Sequence, residues 1–104
     1  MDVKRFAEAK ALLRKTVPVA RRVLGKNHEF TLRMRWLYAS ALYEDNSATL
    51  DDLRKSVETL ESVAPLLTRV FGPSHPDTPR IQTALKEARE ALAAHTAASS
   101  SGAA

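Results

Sequence analysis

Apolar residues recur at helical spacing in four segments of the chain. In the first segment, about residues 2–24, they follow one another at intervals of three or four and form one stripe of an amphipathic helix. The stripe consists of Phe6, Ala9, Leu13, Val17, Ala20 and Leu24. Leu12, Val19 and Val23 widen it on one side. Pro18 removes one backbone donor within this segment, which predicts a kink or a short break.

The second segment, about residues 29–44, is apolar on nearly every side. Its apolar residues occupy two faces, Phe30, Met34, Leu37 and Ala41 on one and Leu32, Trp36, Ala39 and Tyr43 on the other. A helix of this kind is enclosed by its neighbours, so we expect the second helix to be central. Asn27 or His28 is the expected start of this helix.

The third segment, about residues 49–71, repeats the pattern of the first. Its stripe consists of Leu53, Val57, Leu60, Ala64, Leu67 and Phe71. Pro65 interrupts the stripe where Pro18 interrupts the first one. Thr49 and Asp52 have the spacing of a capping box, which predicts the helix start.

The fourth segment, about residues 77–95, has only a narrow apolar stripe, and charged residues cover the rest. A broad solvent-exposed face is typical of a terminal helix. Asp77 is the predicted N-cap. Residues 96–104 are rich in alanine and serine and have no apolar face, so we expect a disordered tail there.

A seven-residue segment occurs twice, 47 positions apart. Residues 25–31, GKNHEFT, return as residues 72–78, GPSHPDT. The turn residues shared by both copies are Gly25, His28 and Thr31 in the first and Gly72, His75 and Thr78 in the second. A repeat of this length indicates stacked helical units, and short connections indicate antiparallel neighbours. We expect each turn to end one helix with its glycine and to start the next.

The net charge of +4 is unevenly distributed. Residues 1–47 contain ten Lys/Arg and five Asp/Glu, and the rest of the chain contains six and seven. Such asymmetry can mark an acidic or nucleic-acid partner, although no Lys/Arg run exceeds two residues. The chain has no cysteine, no signal-like N-terminus and no membrane-length apolar run, so we expect a cytoplasmic protein.

No catalytic constellation is evident in the sequence. The serines lack a Gly-x-Ser-x-Gly segment, and the two glycines of the turns stand alone rather than in a phosphate-binding loop. His28 and His75 have no second ligand at zinc spacing, so we interpret both as structural. We therefore expect no enzyme activity, no metal and no cofactor.

The repeated unit resembles the long form of the tetratricopeptide repeat that occurs in kinesin light chains. Val23–Thr31 and Val70–Thr78 look like the family turn Leu-Gly-x-x-His-Pro-x-Thr. Residues 5–9 resemble the start of the family's second helix, with residues 53–56 as their counterpart. The resemblance covers about residues 5–93. It implies an all-α fold of four antiparallel helices in a right-handed α-solenoid, within one domain at residues 1–95.

This chain departs from the family pattern in three respects. Its period of 47 residues is longer than usual, and each long helix contains a proline. Trp36-Leu37 and Thr83-Ala84 stand where many family members have paired asparagines that clamp a peptide backbone. The third difference argues against clamp-style recognition of an extended peptide.

The resemblance implies a noncatalytic scaffold for protein–protein interaction. The family's first helices line a concave face, so the second and fourth helices would form a groove for a peptide or a partner helix. The groove positions would be Arg33, Trp36, Ser40, Tyr43, Arg80, Thr83, Glu87 and Glu90. Arginine beside an exposed aromatic ring suits an acidic partner. The alternative is that Trp36 belongs to the core and Arg33 is merely solvated.

The family pattern also leaves one side of the first helix without a neighbour. Leu12, Val19 and Val23 lie on that side, so we expect weak self-association or fold-back there, unless the chain is a structural piece of a longer repeat array. A closed four-helix bundle is an alternative fold. Nucleic-acid binding by the basic first half is the runner-up function, less favoured than a protein partner.

Overall fold

The computed structural model describes residues 3–103, and its side chains are described over residues 7–98. The four helices are α1 (Val3–Leu24), α2 (Glu29–Glu44), α3 (Leu50–Phe71) and α4 (Asp77–Ala103). That part of the chain contains no strand, so the predicted all-α fold is confirmed. The side chain of Phe6, assigned to the first stripe, lies outside the described residues.

The four helices form an open array. Each helix packs against the next one along the chain, and α2 also packs against α4. Over the described range, α1 and α4 do not touch, so the closed four-helix bundle is excluded. The array measures 47 × 29 × 23 Å. The prediction that the second helix is central is confirmed, because α2 contacts all three other helices.

Most of the core lies between α2, α3 and α4. Its fully buried large side chains include Leu32 of α2, Leu60 and Leu67 of α3, and Ile81 of α4. Ala39 lies where α2 and α3 approach closely, and the Ser56 hydroxyl donates a hydrogen bond of 2.7 Å to its carbonyl oxygen. By contrast, few of the described side chains of α1 are buried. The buried ones are Leu13 and Ala20.

The two repeated turns have the same geometry. Gly25 and Gly72 adopt φ values of +98° and +84°, which glycine tolerates better than any other residue. Their amides donate to carbonyl oxygens four residues earlier, at 3.0 and 2.9 Å, and so end α1 and α3. His28 Nδ1 then accepts from the Phe30 amide at 3.1 Å, and His75 Nδ1 accepts from an amide at 3.0 Å. Both histidines therefore cap helix starts.

The amide that donates to His75 belongs to Asp77, which corrects the prediction that Asp77 is the N-cap. Asp77 is the first residue of α4, and its carboxylate accepts hydrogen bonds from Arg33 and Arg80 instead. The predicted capping box is present, because Thr49 and Asp52 exchange two hydrogen bonds of 3.1 Å.

Two other local predictions differ from the structure at least in part. Helices α1 and α3 continue through Pro18 and Pro65, so the short break is absent, while the kink stays a prediction. Both prolines are exposed, so the carbonyl that each leaves without a helical donor lies on a side open to water. Helix α4 runs to Ala103 rather than ending near residue 95, so residues 96–103 are helical where a disordered tail was expected, and Ala104 lies outside the described residues. Alanine has the highest helix propensity, which favours this extension.

Candidate functional site

A concave depression lies between α2 and α4. It has a volume of about 330 Å³ and is lined by Trp36, Ser40, Tyr43, Glu44, Pro79, Arg80, Thr83, Ala84 and Glu87. Most of the groove positions expected from the sequence thus come together here, whereas Arg33 and Glu90 are not among its lining residues. We call this depression the concave groove.

Two polar side chains of the concave groove form a hydrogen bond with each other. The Tyr43 hydroxyl donates to a carboxylate oxygen of Glu87 at 3.0 Å. Burial, together with the neighbouring Glu87 carboxylate, raises the pKa of Tyr43. A partner that uses these two groups must replace a hydrogen bond that links α2 to α4.

Arg33 has a structural role that neither sequence interpretation anticipated. Its guanidinium lies 4.6 Å from the ring centre of Phe71, and it donates to Glu29 and Asp77 at 3.4 Å each. The Phe71 ring stacks on His75 with 4.4 Å between ring centres. Arg33 is therefore neither a free groove residue nor a merely solvated one. Its cation–π contact with Phe71 and its ion pair with Asp77 join α2 to the two ends of the second turn, whereas its pair with Glu29 lies within α2.

A larger and mostly apolar groove runs between α1 and α2. Its volume is about 590 Å³, and its lining residues are Ala9, Leu12, Leu13, Met34, Trp36, Leu37, Ser40, Ala41 and Glu44. Nearer the first turn, a smaller depression of about 230 Å³ continues the same surface, lined by Thr16, Val19, Ala20, Val23, Leu24 and Phe30. We call the two together the α1/α2 groove. Exposed apolar surfaces of this extent typically mark interaction sites.

The exposure of this groove corrects the expectation that α2 is enclosed on every side. Leu12, on α1, is 65% exposed and Leu37, on α2, is 50% exposed. The predicted open flank of α1 is therefore one wall of a groove. The face of α2 that contains Phe30, Met34 and Leu37 is the other wall. The shared spacing of those residues was visible in the sequence, but spacing does not say which apolar face is covered.

The internal repeat provides a filled counterpart of the α1/α2 groove. A shift of 47 residues carries α1 onto α3 and α2 onto α4. Met34 and Leu37 correspond to Ile81 and Ala84, which are 0% and 6% exposed because α2 packs over α3 and α4. One groove of this shape is thus occupied by a helix, and the other is open along the described residues.

Trp36 lies between the two grooves and lines both of them. Its side chain is partly buried and packs against the core. Core and groove are therefore not exclusive alternatives for Trp36, and a change at this residue would alter both surfaces.

The described residues contain no candidate metal centre. No three His, Cys, Asp or Glu residues among them are arranged to hold a metal ion, and the turn histidines use Nδ1 as helix caps. No helix in the described range is long and apolar enough to cross a membrane.

Comparison with known proteins gives one partial family match. A family model described as tetratricopeptide repeat matches residues 1–29, which include α1 and the first five residues of the first turn. Neither the curated proteins nor the solved structures contain a significant match. The second turn repeats the geometry of the first. The partial family match and the stacked helical array are both similar to what tetratricopeptide repeats show.

Proposed function

We propose that this protein is a noncatalytic interaction scaffold of the kinesin-light-chain-like type that binds an amphipathic partner helix in the α1/α2 groove. The observation that carries the proposal is the open groove whose repeat counterpart holds α2. The repeated Gly-x-x-His-x-x-Thr turns support the subtype. The cysteine-free composition is compatible with the cytoplasmic location that we propose for the scaffold.

The filled counterpart specifies the kind of helix that fits. The side chains of α2 that pack into the core between α3 and α4 are Leu32, Trp36, Ala39 and Tyr43. Their spacing places large side chains on either side of one alanine, which lets the helices approach closely. The matching partner helix would have three large apolar residues and one small residue at the same intervals.

Charge along the groove favours an acidic flank on this helix. Lys15 and Arg22 are exposed on α1, three residues after Leu12 and Val19 respectively. Residues three apart are neighbours on a helix surface, so both cations border the apolar wall. Acidic side chains beside the partner's apolar stripe would meet them.

A second copy of this chain is a less suitable occupant. The buried residues Leu32, Ala39 and Leu42 of α2 correspond to Pro79, Lys86 and Arg89 of α4, all of which are exposed. Head-to-tail stacking would bring Lys86 and Arg89 against apolar side chains, at a desolvation cost. The weak self-association through α1 expected from the sequence is therefore the competing outcome of the test.

The concave groove is a second, more polar surface of the proposed scaffold. Its proposed partner-binding residues are Trp36, Ser40, Tyr43, Arg80, Thr83 and Glu87. Because the α1/α2 groove shares Trp36 with it, a Trp36 substitution cannot tell the two surfaces apart. Thr83 lines only the concave groove, and Leu37 lines only the α1/α2 groove.

The test uses a labelled helical peptide that has the α2 stripe on an alanine and glutamate background. Fluorescence anisotropy should detect binding to the full chain, weakened about tenfold or more by Leu37→Glu, which introduces a charge into the apolar wall. Val70→Glu is the matched control, because Val70 is exposed to 51% on α3 outside the groove. Thr83→Arg should leave affinity unchanged.

Three results would contradict the proposal. The peptide could fail to bind, it could lose affinity equally with Leu37→Glu and Val70→Glu, or it could respond only to Thr83→Arg. Sedimentation velocity completes the test. A concentration-dependent dimer that Leu37→Glu abolishes, and that the peptide does not displace, would assign the groove to a second copy.

A further inference from the structure

A basic crevice lies where α1, α2 and α3 meet. Its volume is about 260 Å³, and four cationic side chains line it: Arg14 and Arg21 of α1, Arg35 of α2 and Lys55 of α3. No acidic residue lines it, and the hydroxyl-bearing residues Tyr38 and Thr59 complete its polar wall. The crevice shares only Leu13 with the α1/α2 groove.

The four cations have no acidic partner among the described side chains. The ion pairs of that part of the chain use Lys10, Arg33, Arg80 and Arg89 instead. The ammonium group of Lys55 lies 5.5 Å from the centre of the Tyr38 ring, which stabilises a cation but does not neutralise it.

Arg35 is the most buried of the four cationic residues. Its side chain is half-buried, and burial lowers the pKa of its guanidinium, as does the nearby positive charge of Arg21. Desolvation and like-charge repulsion both disfavour the charged form. An anion in the crevice would offset both effects, because a nearby negative charge favours the charged form of the guanidinium.

The repeat again provides a counterpart, and here its chemistry differs. The equivalent crevice of the second unit is lined by Glu61, Pro65, Thr68, Gln82 and Arg89, among others. Glu61 and Arg89 form an ion pair of 3.1 Å across it. Thr68 and Gln82 stand where the first unit has Arg21 and Arg35. The fold therefore does not require cations at these positions.

We propose that the basic crevice of the first unit binds a compact multivalent oxyanion, such as a phosphoryl group. Arginine suits this ligand because its planar fork donates two parallel hydrogen bonds to one phosphate. The crevice is smaller than the roughly 300–1,000 Å³ of pockets for drug-sized ligands, which fits a small group. This site is independent of the proposed scaffold function.

The arrangement fits a compact anion better than a nucleic-acid backbone. A duplex presents regularly spaced phosphates and is bound by cations spread along a face. Here the cations of three helices converge on one crevice. Nucleic-acid binding, the runner-up function expected from the basic first half, is therefore an outcome against which the proposal can be tested.

Isothermal titration of the full chain with inorganic pyrophosphate tests the proposal. The double variant Arg21→Thr/Arg35→Gln takes its new residues from the second crevice, so it should fold. It should lose about tenfold or more in affinity, because two charged donors are removed. The control Arg22→Gln/Lys26→Gln removes the same charge from exposed positions outside the crevice and should stay within about twofold.

Two further arms sharpen the result. Arg35→Lys keeps the charge but loses the forked geometry, so affinity should fall by about threefold to tenfold. A phosphoserine peptide should compete with pyrophosphate, and the tighter of the two ligands would distinguish an ester phosphate from a free anion.

Absence of pyrophosphate binding would overturn the proposal. An equal loss of affinity in the crevice variant and the control would do the same, because binding would then follow overall charge. Single-stranded DNA could bind more tightly than pyrophosphate and lose affinity equally in both double variants. That result would indicate diffuse nucleic-acid binding instead of an anion site in the crevice.

Discussion

One partly buried ion pair contributes to the attachment of α1 to the rest of the array. Lys10 Nζ lies 2.8 Å from Asp45 Oδ2, and the two side chains are 19% and 5% exposed. Asp45 is the C-cap of α2, so this contact joins the middle of α1 to the end of its neighbour. We predict that Lys10→Met destabilises the fold.

The size of the loss in unfolding free energy depends on the interactions that Asp45 keeps when Lys10 is replaced. Removing one partner of a fully buried pair costs about 3–5 kcal/mol, whereas an exposed pair contributes about 0–1 kcal/mol. Asp45 keeps a hydrogen bond of 2.9 Å from the Ser47 amide, and Lys10 is not fully buried. We therefore expect a loss of about 2 kcal/mol in the free energy of unfolding. For a domain of this size, that corresponds to a decrease in Tm of roughly 10 °C.

Urea unfolding followed by far-ultraviolet circular dichroism measures this loss. In the double variant Lys10→Met/Asp45→Asn no buried charge lacks its partner, so it should be more stable than Lys10→Met. Arg89→Met is the control, because its pair with Glu61 is about half exposed at both ends and should contribute less than about 0.5 kcal/mol.

Two results would refute the reasoning. One is a loss for Lys10→Met no larger than that for the control. The other is additivity of the two single substitutions in the double variant, since additivity would mean that Lys10 and Asp45 do not interact.

Three further predictions concern the same fold. The pKa of Asp45 is lowered, chiefly by its hydrogen bond with Lys10, so its contribution to stability is present above the usual value near 3.9 and is lost as pH falls through the lower folded value. Urea midpoints should therefore fall more between about pH 5 and 2 for the wild type than for Asp45→Asn, and parallel curves would contradict this. Gly72→Ala should cost about 1 kcal/mol, because φ is +84° although no atom lies within 4 Å of the added Cβ; an unchanged Tm would contradict this. His75→Ala should destabilise more than the roughly 1 kcal/mol expected for loss of a helix cap at His28, because only His75 also stacks on an aromatic ring, and equal thermal midpoints would refute the difference.

The helices and their turns were accessible from the sequence because the interactions that define them are local. The capping box joins Thr49 to a residue three positions away, and the glycine caps join Gly25 and Gly72 to carbonyls four positions away. Such contacts depend on short spacing, which a sequence displays directly. The proline effect and the end of α4 were harder to predict, because a helix interruption depends on the balance of backbone energies over a whole segment.

The functional surfaces required the tertiary structure. Spacing placed Phe30, Met34 and Leu37 on one face of α2, but only the packing of three neighbours determined that this face stays open. Arg33 was assigned to a groove because of its spacing from Trp36. Two of its contacts, with Phe71 and Asp77, are with residues more than 30 positions away at the second turn.

The sequence by itself determined that the protein is a repeated array of four helices. Helical periodicity and caps depend on residues three or four positions apart, and the 47-residue repeat can be read by comparing the sequence with itself. Only the tertiary structure decided which faces of those helices remain uncovered and which charges converge. The first unit and its copy share a backbone pattern, yet one groove is filled and the other open, and one crevice is cationic and the other neutral. The physical reason is that burial and charge pairing depend on distances between helices, which no spacing along a single helix contains.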